Sequence, residues 1–85
     1  MQVHIPTPLR SYTNAPIVEA NGVTIAEMFA DLEQRYPGIR FRVINEQNQI
    51  REHVRIFVNQ TIADNLNVPL ALNDQVRIVM AISGG

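Results

Sequence analysis

Apolar and polar residues alternate at both ends of this chain and follow a helical stripe between them. Val3, Ile5, Thr7 and Leu9 alternate with Gln2, His4, Pro6 and Pro8, which predicts a first strand over residues 2–10. Two prolines cannot both sit in a central ladder, so from Pro6 onward this strand is an edge, a bulge or an exit. Ser11 to Ala15 is a turn by composition, and Ile17 to Ala20 a short second strand closed by Asn21-Gly22, residues that tolerate positive φ. The two strands make a hairpin. Thr24 to Tyr36 is the clearest helix: Ile25, Met28, Phe29, Leu32 and Tyr36 form one stripe, with Glu27, Asp31, Glu33 and Arg35 off it. Thr24 and Glu27 have the spacing of a capping box, and Pro37-Gly38 stops the helix.

Residues 39–53 are harder to read. Ile39, Phe41 and Val43 alternate with Arg40, Arg42 and Ile44, which favours a short extended piece, followed by a polar loop at Glu46 to Gln49. Val54 to Asn59 is a strong strand. Gln60 to Asn67 is a turn with room for a short strand, Pro69-Leu70 an apolar corner, Leu72 to Gln75 a turn, and Val76 to Ala81 the final strand. The order is β-β-α-β-(β)-β, an α+β domain of 85 residues. No internal repeat and no second composition zone divides it.

Composition narrows the function. Net charge is −1, without the surplus of Lys and Arg that a nucleic-acid backbone binder needs. No apolar run approaches the roughly 20 residues of a membrane span, and the first residues lack a signal-peptide pattern, so a cytoplasmic protein is expected. There is no Cys, hence no thiolate nucleophile, disulfide or Cys-based metal site. There is also no Lys: all seven basic residues are Arg. A chain joined to amines through its C-terminus could not form lysine-linked polymers of itself, which favours a carrier over a polymerising tag.

The chain ends Ile82-Ser83-Gly84-Gly85. Strand hairpin, capped helix and further strands ending in Gly-Gly resemble the ubiquitin-like β-grasp fold, and more closely the MoaD/ThiS family of sulfur carriers. Four groups of residues carry the resemblance: Leu32-Glu33-Gln34-Arg35-Tyr36-Pro37-Gly38, Ile56-Phe57-Val58-Asn59-Gln60, Pro69 to Val76, and Ser83-Gly84-Gly85. It spans most of residues 24–85 and is weaker over 1–23. Asn73 stands where the family usually has Gly, and Asn is the next best residue for a left-handed turn position. Arg51 to Asn59 is similar to carriers that serve cysteine biosynthesis; the small subunit of molybdopterin synthase is the other branch.

The resemblance implies a β-grasp domain over 1–81, with a mixed sheet of four to five strands on one main helix. A flexible tail over 82–85 would follow it. It also implies that Gly85 is the functional atom group. An α-carboxyl, with a pKa near 3.5, is a carboxylate at pH 7. Adenylation by a ubiquitin-activating-type (E1-like) adenylyltransferase, which uses ATP, would turn it into an acyl adenylate, and sulfur would then replace AMP to leave a thiocarboxylate. A sulfur-accepting synthase would consume it. The chain itself would bind no cofactor and catalyse nothing. Gly84 and Gly85 lack a Cβ and suit a narrow tunnel, with Ile82 and Ser83 entering the partner's active site behind them. Ala81 to Gly85 can reach about 17 Å.

Strand parity points to a docking face. Val76, Ile78 and Met80, with Val54, Ile56 and Val58, should meet the helix stripe. Phe57 and Val79, rimmed by Arg55 and Arg77, then lie on the open face of the sheet, the face β-grasp carriers use toward activating enzymes by resemblance. The competing expectation is that the 39–53 segment covers Phe57. His4 and His53 lack ligand-spaced partners and read as surface or loop residues; Glu27, Asp31 and Glu33 read as a solvated helix face. Two further functions share the sequence pattern: a protein modifier conjugated to lysine through Gly85, and a β-grasp binding module whose Gly-Gly end is incidental.

Overall fold

The computed structural model describes residues 1–81; residues 82–85 lie outside the described residues. Five strands form one mixed sheet: β1 (Gln2–His4), β2 (Ile17–Glu19), β3 (Val54–Val58), β4 (Thr61–Ile62) and β5 (Gln75–Met80), in spatial order β2-β1-β5-β3-β4. β1 and β5 run parallel in the centre, with Val3 opposite Val76, and every other pairing is antiparallel. The predicted hairpin is β1–β2, Val3 facing Val18.

The first strand is shorter than its alternation predicts. β1 stops pairing at His4 opposite Arg77, because Pro6 has no N–H to continue the ladder. Thr7–Leu9 is instead a turn of 3₁₀ helix with Pro8 in its first turn, running into α1 (Arg10–Thr13). Leu9 is fully buried from this turn, so its apolar character serves the core without a strand. The turn predicted at 11–15 begins inside α1 and closes at Asn14, which is left-handed at φ 55° and donates its N–H to the Arg10 carbonyl.

Helix α2 (Ile25–Arg35) covers one face of the sheet. Ile25, Met28, Phe29 and Leu32 are fully buried, as their stripe predicts. The Thr24 hydroxyl accepts from the Glu27 N–H at 3.2 Å, and Glu27 Oε1 accepts from the Val23 N–H, one residue before the expected partner. The Ile25 and Ala26 N–H groups donate to the Val68 and Leu66 carbonyls, so the stretch around Pro69 supplies the helix end with acceptors. Gly22 packs so closely there that a Cβ would lie 2.6 Å from the Met28 nitrogen.

Residues 39–43 are a second, short helix, α3 (Ile39–Val43), rather than an extended piece. Ile39 and Val43, four apart, are fully buried on one side, while Phe41 is 53% exposed. Period 3.6 and period 2 cannot be separated over five residues, and the deciding contacts are distant in sequence. Gly38 starts α3 at φ +97°, and the Glu33 carboxylate accepts the Gly38 and Arg40 N–H groups at 2.8 and 3.0 Å. Those two bonds, Gly38 first, hold the Glu33 carboxyl below its ordinary pKa. Asn45 then organises the polar loop, its Oδ1 accepting from the Gln47 and Gln49 N–H groups. Asn73 does not take the left-handed conformation expected of it; Asn14, Asn48 and Asn59 do. The Asp74 carboxylate shapes that turn instead, accepting from the Ala71 N–H and the Asn59 side chain.

Candidate functional site

The strand registers bring one row of side chains together across all five strands. Ile17 faces His4, His4 faces Arg77, Arg77 faces Phe57, and Phe57 faces Ile62. Paired residues share a face of a sheet, so these five side chains lie on the side away from α2. A second row, Val79 opposite Arg55, lies nearer the C-terminal end of β5. Strand parity assigns Phe57, Val79, Arg55 and Arg77 to this face, and the strand registers agree. The core-facing set is as expected for Val54, Ile56, Val76 and Ile78, all buried, while Val58 and Met80 are only partly so.

This face is amphipathic. Ile17 and Ile62 are each 44% exposed and Val79 39%, whereas Phe57 is half-buried. Arg77 stands between His4 and Phe57 with no hydrogen-bond or ion-pair partner among the described residues. The His4 ring is held by Gln75, Nε2 to Oε1 at 2.9 Å. One Arg55 nitrogen donates to the Glu52 and Val54 carbonyls. Ile39, Val43 and Ile44 join the core that also buries Val54 and Ile56, and Phe57 is outside that cluster. The 39–53 segment therefore packs on the helix side at these positions, against the competing expectation for Phe57.

Where β1 leaves the sheet, a groove of about 480 Å³ opens beside β5, lined among others by His4, Pro6, Ile17, Arg77, Val79 and Met80. Its cause is again Pro6: once β1 turns away, the outer half of β5 loses its neighbour on that side. β5 continues to pair with β3 to its end, and the last described backbone bond runs from the Ala81 N–H to the His53 carbonyl at 2.7 Å. The predicted site at Gly85, and the predicted tail at Ile82, Ser83 and Gly84, lie outside the described residues.

Sequence reasoning missed His4, Ile17 and Ile62 as members of this face. Their strands are short, and no local pattern reveals that β1 runs parallel beside β5. Among the described residues, no group of three His, Asp or Glu is placed to hold a metal ion. No helix among them is long and apolar enough to cross a membrane.

The ThiS family profile matches residues 3–85. Sulfur carrier protein CysO of Mycobacterium tuberculosis is 35% identical, the match covering 98% of this chain and 96% of that protein. A chain in the crystal structure of the Amycolatopsis orientalis BexX/CysO complex superposes with a TM-score of 0.90 at 32% identity, covering 99% of this chain and 98% of that one. The crystal structure of SAMP1 from Haloferax volcanii, at 20% identity and a TM-score of 0.80, shares the fold, covering 100% of this chain and 98% of that one. With the mixed sheet, its central parallel pair and the helix across one face, these similarities show the fold to be ubiquitin-like β-grasp and place the chain in the ThiS family.

Proposed function

We propose that this chain is a cytoplasmic sulfur carrier for cysteine biosynthesis. It acts as a co-substrate and leaves the catalysis to its partners. The observation that carries the reading is the family match, which runs through the Gly-Gly end to residue 85. Relatives named sulfur carrier protein CysO, which match this chain over nearly its whole length, support the carrier role and favour the cysteine branch.

In this reading a carboxylate oxygen of Gly85 attacks the α-phosphorus of ATP on an E1-like adenylyltransferase. Pyrophosphate leaves and an acyl adenylate forms. A sulfide-equivalent donor then attacks the carbonyl carbon, AMP departs with the C–O electron pair, and a thiocarboxylate remains. A sulfur-accepting synthase takes the sulfur from it. Ile82 to Gly85 thread the partner's active site, while Phe57, Val79, Arg55 and Arg77 dock on the partner's surface. The pairing of BexX with CysO in a solved complex supports docking by a protein partner.

The test is made on the C-terminus. The protein is incubated with ATP, sulfide and the cognate adenylyltransferase, treated with a thiol alkylator, and weighed intact. With no Cys in the chain, the thiocarboxylate is the favoured alkylation site. An ATP-dependent adduct, absent when Gly85 is deleted, is the expected result. Adenylation without any adduct would shift the reading to a modifier conjugated through Gly85.

A further inference from the structure

Beside the root of the tail lies a second surface, built from the segment whose conformation the sequence left least clear. α3 and the residues just before β3 bring Phe41, Arg42, Arg51 and His53 around a hollow of about 280 Å³. Arg51 is stacked on the exposed Phe41 ring, its guanidinium carbon 4.6 Å from the centroid, and its Nε donates to the Phe41 carbonyl at 2.8 Å. Arg42 sits over Tyr12, 5.9 Å from that centroid, with a long bond to its hydroxyl. Both guanidiniums are thus positioned by aromatic rings and neutral oxygens, an arrangement that leaves their charge uncompensated. Among the described residues the one arginine within 4.0 Å of a carboxylate is Arg35, beside Asp31 on α2. Glu52, exposed between Arg51 and His53, is the one acidic residue between α3 and β3 beyond the polar loop.

We infer that this rim of Arg42, Arg51 and His53 docks an acidic patch on the E1-like adenylyltransferase that takes in Gly85. The inference rests on the tail-activation reading above. The backbone carbonyl of His53 accepts the Ala81 N–H, so the rim begins where the described chain ends. Ala81 to Gly85 span at most about 17 Å, so a protein that takes Gly85 into an interior site must close over the tail root. Covering arginines without offering carboxylates would strip their water for no return, which is penalised. Acidic side chains opposite them gain bidentate charge-assisted bonds and speed the encounter.

The experiment compares charge-matched variants of the full chain. Arg42→Gln/Arg51→Gln removes two charges from the rim; Gln34→Glu/Gln60→Glu changes net charge equally at two exposed positions, on α2 and in the β3–β4 turn. Pyrophosphate release by the cognate adenylyltransferase is measured at 50 and 300 mM NaCl, alongside the dissociation constant of the complex. The expected result is a KM about tenfold higher for the rim variant at low salt, kcat within about twofold, and a flatter salt dependence. The control should follow the wild type, and Arg42→Lys/Arg51→Lys, which restores the charge without the bidentate fork, should regain the salt dependence but only part of the lost affinity. A rim variant whose KM and dissociation constant stay within about twofold of the control overturns the inference. So does rim-dependent binding of poly(U) RNA with no effect on the protein complex. A wild type that binds the enzyme without being adenylated overturns the tail-activation reading alone, the rim still being judged by the dissociation constants. A wild type that does not bind overturns both.

Discussion

Removing the Glu33 side chain should unfasten α3. Its carboxylate accepts the Gly38 and Arg40 N–H groups at 2.8 and 3.0 Å, two of the donors that the start of a helix leaves without an intrahelical partner. Loss of one N-terminal cap costs about 0.5–2 kcal/mol. For two bonds to a half-buried carboxylate, Glu33→Ala should cost about 2 kcal/mol at pH 7. With a urea m-value of about 1 kcal/mol/M for a small domain, the midpoint should fall by about 2 M. Glu33→Gln keeps one acceptor oxygen and should lose about half as much. The pH dependence separates capping from lost packing. The folded pKa of Glu33 is lowered from 4.5, first by the Gly38 N–H and then by the Arg40 N–H. Its contribution is therefore full above the unfolded value near 4.5 and disappears as pH falls through the folded one. Urea unfolding of wild type and both variants at pH 7 and pH 2 should show a large gap between wild type and Glu33→Gln at pH 7 and none at pH 2. A Glu33→Ala midpoint unchanged at pH 7, or an equal wild-type to Glu33→Gln gap at both pH values, would refute the capping role. Since α3 carries Phe41 and Arg42, the same variants should also weaken the rim.

Further outcomes follow from particular contacts. Gly22→Ala would place a Cβ 2.6 Å from the Met28 nitrogen and 2.9 Å from the Glu27 carbonyl carbon, at φ +147°. Helix backbone cannot yield cheaply, so a loss of about 2–4 kcal/mol is expected, seen as a melting temperature lowered by at least about 10 °C. Asp31 is held below its ordinary pKa chiefly by the Asn21 N–H and then by Arg35, and Asp74 by the Ala71 N–H and the Asn59 amide. Their contributions are complete above about pH 4 and vanish as pH falls through the folded values, so Asp31→Asn/Asp74→Asn should flatten the acid limb of a stability–pH curve. On the open face, Phe57→Ala/Arg77→Glu should raise the KM for adenylation at least about tenfold with kcat little changed, because aromatic and arginine residues dominate interface energies; an unchanged KM in a folded variant would remove this face from docking.

Local pattern was enough for several elements. The α2 stripe and its Thr24 cap, the β3 and β5 parity, the β1–β2 hairpin and the Gly-Gly ending are written in neighbouring residues, because period 3.6, period 2 and capping are local properties. The open face followed from parity for Phe57, Val79, Arg55 and Arg77. Tertiary structure decided the rest. Pro6 ends the first strand locally, but that Leu9 then reaches the core from a 3₁₀ turn is decided by the packing around it. Whether Ile39 to Val43 is a strand or a helix depends on which side the core presents, since the Glu33 cap, only five to seven residues away, serves the helix once it has formed. That His4 and Ile17 join Phe57 in one row depends on β1 lying parallel to β5, more than 70 residues away in the chain. Such choices are made by contacts between segments distant in sequence, which a short stretch of residues cannot encode by itself.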